Sequence, residues 1–161
     1  MHKVLLLVLA AAGCFVWLTS AELPPVVASH FGPGGAANAF MGRRTYTALM
    51  LATVVAVPAF VGFSGQLVRR LPVQWINLPN RQYWLAPERR ADTSRSLSCL
   101  TAPLALALAV FLCLVHWLVV QANAVKPPRL QEGVLWVALA VLGTVLAIWL
   151  VVFLRRFGRV H

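Results

Sequence analysis

The sequence predicts an all-α membrane protein: four transmembrane helices with N- and C-termini cytoplasmic, one Pro/Gly-rich extracytoplasmic loop and one Arg/aromatic cytoplasmic connector. Three observations carry this prediction. Hydrophobic residues make up 60% of the 161 residues and charged residues only 11%, against roughly 45–50% and 25% in soluble domains. Such an excess cannot be hidden inside a 17.6 kDa globule, so lipid is the natural solvent for it. The apolar residues also gather into four runs, residues 4–20, 45–67, 97–120 and 133–154, each close to the roughly 20 residues that cross a bilayer. Finally, the charges fall between the runs. One membrane domain, residues 1–161, accommodates all of this.

Residues 4–20 form the first run, preceded by Lys3. A signal-peptidase site at Thr19-Ser20-Ala21 and a loose lipoprotein box at Ala11 to Cys14 compete with a retained span. The retained span is preferred: Trp17 suits an interfacial anchor, and the apolar run continues past Cys14. Residues 21–44 are the first loop. Pro24, Pro25 and Pro33 forbid helix there, Gly32, Gly34 and Gly35 favour turns, and alternation is too weak to define a strand. At most, residues 25–31 are extended.

The second run, residues 45–67, contains Pro58, Gly62 and Gly65. A bend near Pro58 is expected, and the three-residue glycine spacing is not the four-residue repeat of tightly paired helices. The connector, residues 68–96, carries six arginines together with Trp75, Ile76, Leu78, Tyr83, Trp84 and Leu85. This mixture reads as a segment lying against headgroups. Pro87 suits the first turn of a helix, with Glu88 near its positive end, and that helix runs on into the third span. Residues 121–132 make a short turn with Pro127 and Pro128, and Arg155, Arg156 and Arg159 close the fourth span.

Orientation follows from the basic residues. With a cytoplasmic N-terminus, ten of the fourteen Lys and Arg residues lie inside, a strong positive-inside bias. Because the net charge of +10 sits between spans and not on one polar face, nucleic acid is excluded as the intended partner. Cys14, Cys99 and Cys113 match neither a zinc nor a disulfide spacing and read as packing residues.

Few side chains bear chemistry. His30 stands alone in the first loop, where it either serves a ligand or proton switch or fixes the loop's own backbone. With no Cys, Asp or second His nearby, no metal site and no cofactor is expected. Glu22, Arg43 and Arg44 bracket the loop and read as charges that end the flanking helices. His116, one turn inside the third span, reads as a packing residue satisfied by water or a carbonyl. No Asp or Glu lies within the spans, which argues against a pump or coupled transporter. In the connector, Glu88 lacks an acid/base partner, so Asn80, Arg81, Tyr83, Trp84, Pro87, Glu88 and Arg89 are read as an interfacial elbow seating the third helix.

Two stretches resemble a family of bacterial membrane proteins of unknown function, whose signature domain also forms the N-terminal part of SdpI-type killing-factor immunity and signalling proteins. The likeness lies in Leu23-Pro24, Ser29-His30-Phe31-Gly32, Gly35 and Met41. It extends to Leu78-Pro79-Asn80-Arg81 followed by Tyr83-Trp84-Leu85-Ala86-Pro87-Glu88-Arg89. It covers residues 1–98 by motif and the last two spans by hydropathy alone. Where many members carry an acidic or polar residue after the glycine turn, this chain has Ala36-Ala37-Asn38-Ala39. The resemblance implies a multi-span membrane protein with an outward-facing first loop and brings no established catalytic residues with it. Its expected ligand or partner surface is Leu23, Pro24, His30, Phe31, Gly32 and Gly35, and its expected partner is a peptide or another membrane protein besides the lipid bilayer itself. The alternatives are a structural or assembly subunit of a larger membrane complex and, third, a membrane-embedded enzyme using His30, Glu22 or Glu88.

Overall fold

A computed structural model describes residues 2–159. The first helix, α1, spans His2–Thr19 and ends in a single 3-10 turn, Ser20–Glu22. Two strands follow, β1 (Val26–Phe31) and β2 (Ala37–Gly42), paired antiparallel across a turn at Pro33–Gly35. Helix α2 covers Arg43–Leu67 and stays helical through Pro58. A short helix α3, Arg81–Trp84, precedes α4, Arg90–Ala124, and α5, Glu132–Phe157.

Four of these helices are long and apolar enough to cross a membrane. Helices α1, α2 and α4 form the packed centre. Leu5 and Leu9 meet Ala105 and Ala109 in one layer, and Ala12, Val16 and Val54 make the next. Small residues let the backbones approach, as membrane helices require where no hydrophobic force joins them. A side chain at Gly62 would collide with Leu5 and Ala105. One at Gly65 would meet Ser98 Oγ at 2.7 Å, and Ser94 donates to the Gly65 carbonyl at 2.8 Å. The two glycines thus serve different neighbours, which a repeat rule does not register.

Helix α5 is peripheral. Phe157 is its one buried residue among those described, and Trp149 Nε1 donates to the Leu100 carbonyl at 3.1 Å. Its other large side chains, Trp136, Val137 and Ile148 among them, are exposed to the surroundings.

Three sequence expectations change. The first loop is a β-hairpin, so the fold is not purely α. Helix α4 starts at Arg90, because residues 87–89 form a separate turn in which Arg89 and Arg90 N–H donate to the Ala86 carbonyl. The connector does not simply lie on headgroups: Ile76, Leu78 and Leu85 are buried with Val68, Leu97 and Phe157 in a protein core. Trp75, in contrast, is 71% exposed.

Candidate functional site

The hairpin is built from residues with modest strand preference, so its order comes from outside it. Asn123, near the end of α4, accepts the Ala28 N–H at 2.8 Å and donates to the Ala28 carbonyl at 3.0 Å. The same amide reaches the Val119 carbonyl at 2.9 Å. At the turn, Gly35 N–H donates to Glu132 Oε1 at 2.8 Å, and Leu130 N–H donates to the Gly35 carbonyl at 2.9 Å. Arg129 Nε donates to the Gly34 carbonyl at 3.1 Å. At the base, Arg43 N–H donates to the Pro25 carbonyl at 2.9 Å and its Nη1 to the Leu23 carbonyl at 2.9 Å.

Gly34 and Gly35 both have positive φ, 79° and 75°. This left-handed backbone is costly for any residue with a Cβ. Gly35 is doubly required, since a Cβ there would run into the Leu130 carbonyl, whereas Gly34 has open space around it.

Beneath the hairpin, Leu23, Val27, Tyr46, Val119 and Val120 form a buried cluster onto which Phe31, Met41 and Met50 pack. Of the residues singled out from the sequence, Leu23, Phe31 and Gly35 therefore hold the hairpin in place. Pro24 is half-buried, and a Cβ added at Gly32 would come within 3.2 Å of Asn38 Nδ2. His30 differs from all of these. The strand register shifts on both sides of it, leaving Ser29 and Asn38 without paired partners. Such irregularities re-aim side chains. Here His30 Nδ1–H donates to Asn38 Oδ1 at 2.7 Å on an exposed edge. Val26 and Phe40, 62% and 55% exposed, complete the outward surface.

Below the hairpin lies a second arrangement that sequence reasoning noticed only at its middle member. His116 is fully buried, with Tyr46 OH 3.0 Å from Nδ1 and Thr19 Oγ1 2.8 Å from Nε2. Thr19 Oγ1 donates to the Phe15 carbonyl at 2.7 Å. Its proton being so used, it accepts from Nε2–H, and Nδ1 accepts from Tyr46 O–H. A directed chain of hydrogen bonds thus ties α2 to α4 to α1, with protein hydroxyls in place of the water or carbonyl expected from sequence.

At the opposite end, the elbow residues converge on the end of α5. Asn80, left-handed at φ 52°, and Trp84 Nε1 both donate to the Phe157 carbonyl, at 3.1 and 3.0 Å. Thr93 Oγ1 donates to the Trp84 carbonyl at 2.7 Å. Arg90 Nε donates to the Val68 carbonyl at 2.8 Å, and its Nη2 to that of Leu71. The Arg89 guanidinium sits 4.1 Å from the centre of the Tyr83 ring and 3.5 Å from Glu88. Arg81 is exposed at the start of α3, and Pro87 is exposed in the turn before α4.

The hairpin packs on α2, α4 and the α4–α5 loop, while Glu88 belongs to the elbow. His30 and Glu88 therefore do not share a site. Among the described residues, no three His, Cys, Asp or Glu side chains gather as metal ligands. No protein-family model matches the chain, and no curated protein or solved structure is significantly similar to it.

Sequence reasoning missed Asn123, Glu132, Tyr46 and Thr19. Glu132 and Asn123 flank the Pro127-Pro128 turn and were the available signal: polar side chains at helix ends facing a glycine-rich loop.

Proposed function

We propose that this protein is a non-enzymatic, multi-pass protein of a bacterial inner membrane that recognises a peptide or partner membrane protein through the hairpin, as SdpI-type immunity and signalling proteins would suggest. One observation carries the proposal: the hairpin backbone is tied down at turn, strand and base, yet Val26, His30, Asn38 and Phe40 face outward. A surface ordered before binding loses little entropy when a partner arrives. Its mixture of an aromatic, an aliphatic and an imidazole–amide pair suits a peptide backbone with apolar side chains better than a highly charged ligand. The basic elbow end then faces the cytoplasm and the hairpin faces outward.

The test is photo-crosslinking in cells from position 40, with position 136 on the exposed face of α5 as reference. A discrete adduct from position 40 that disappears with His30→Ala is expected. The same adducts from both positions, indifferent to His30→Ala, would remove the hairpin from consideration. The exposed length of α5 favours a second reading, an assembly subunit. Specific adducts from position 136 alone would select it.

A further inference from the structure

We propose that the cleft between the elbow and the end of α5 binds the phosphate of an anionic phospholipid headgroup. The cleft has a volume of about 500 Å³ and gathers Arg89, Arg155, Arg156 and Arg159 around Tyr83 and Trp84. Four arginines thus border one concavity. Asp92 is the one carboxylate on its wall, and it is already turned to Arg95 at 3.6 Å. Glu88 stands beside Arg89. No salt bridge to Arg155, Arg156 or Arg159 occurs among the described residues.

Basic residues at the end of a span are ordinary, and a helix C-terminus favours them. That accounts for their presence but not for their convergence on a cleft. Aromatic rings hold two of the guanidinium groups in place: Arg89 over Tyr83 at 4.1 Å and Arg156 over Trp84 at 4.9 Å. Trp84 is itself fixed by its bond to the Phe157 carbonyl and by edge contact with the Phe157 ring. Guanidinium groups so oriented present paired N–H donors to a tetrahedral anion.

The occupant is argued from position. Just along α5 from the arginines, Val151, Val152 and Leu154 are exposed apolar side chains within the spanning helix. A ligand whose phosphate enters the cleft and whose chains run along that surface satisfies both. Basic pockets between spanning helices bind lipid headgroups in this way. A free phosphate would use only the first half of the site.

The experiment is native mass spectrometry of the full chain in neutral detergent, supplied with phosphatidylglycerol or phosphatidylcholine. Retention of phosphatidylglycerol about tenfold above phosphatidylcholine is expected. It should vanish in R155Q/R156Q/R159Q and persist in R69Q/R70Q, which alters a separate basic cleft bordered by Arg69, Arg70 and Arg95. Equal retention of the two lipids by the unaltered protein overturns the proposal, whatever the variants do. So does undiminished retention by the triple variant, or equal loss in R69Q/R70Q, which would indicate diffuse charge. Displacement of the lipid by millimolar inorganic phosphate overturns the lipid assignment in favour of a free anion.

Discussion

The two ends of this molecule are both ordered by long-range contacts, but by different ones. At the hairpin end, individual polar side chains hold backbone groups above the buried cluster of Leu23, Val27, Tyr46, Val119 and Val120: Asn123 grips Ala28 on both sides, Glu132 takes the Gly35 N–H, and Arg43 caps the Leu23 carbonyl. At the elbow end, an apolar cluster of Val68, Ile76, Leu78, Leu85, Leu97 and Phe157 does most of the holding, with a few bonds around it. The difference has a functional meaning. A hairpin secured through its backbone keeps its outer side chains free for a partner. An elbow secured through its side chains has buried Ile76, Leu78 and Leu85 in packing and leaves its arginines, with Trp75, on the surface.

This contrast can be broken most sharply at Gly35. Gly35→Ala combines a left-handed backbone with collision against the Leu130 carbonyl, so a loss of roughly 3–4 kcal/mol in detergent unfolding is expected. Gly34→Ala, with open space around it, should lose only about 1 kcal/mol. Equal losses would show that φ alone, and not the α4–α5 loop, sets the turn. Next comes Asn123→Ala, which removes three bonds and exposes buried strand groups. It should cost about 3 kcal/mol and open the hairpin to protease while the elbow stays protected.

Arg90→Ala probes the other end. Losing its bonds to the Val68 and Leu71 carbonyls should cost about 2 kcal/mol, with protease sensitivity now confined to residues 68–89. Trp84→Phe keeps most of the ring but drops the bond to the Phe157 carbonyl; about 1 kcal/mol is expected in the same unfolding assay. His30→Ala should change stability by less than about 0.5 kcal/mol, because the side chain is exposed. A larger loss would assign His30 to the scaffold and remove it from the outward surface.

The spans were legible because hydropathy and length are properties of contiguous residues. Helices α2, α4 and α5 contain their apolar runs and α1 covers its run up to Thr19, with α4 extending beyond its run at both ends. The hairpin was not legible, since Val26-Val27-Ala28-Ser29-His30-Phe31 lacks a clean period of two and its register shifts twice. What makes it a strand is Asn123, 95 residues away from Ala28. The elbow's composition was read correctly as basic and aromatic. Its burial was not, because Phe157, the residue that covers it, belongs to the last helix. His116 was visible as an internal polar residue, but Thr19 and Tyr46 lie 97 and 70 residues from it in the chain. Sequence patterns report faces and lengths; they do not report which distant face arrives.

The position of Phe157 has a consequence for biosynthesis. Leu78 leaves the ribosome 79 residues before Phe157 does, a delay of roughly 4–16 s at ordinary translation speeds. Throughout that interval the nascent connector has its arginines but lacks its lid. Its Ile76, Leu78 and Leu85 must meanwhile be sheltered by the membrane surface or by the insertion machinery, so the middle of the polypeptide matures only after its last helix has been threaded.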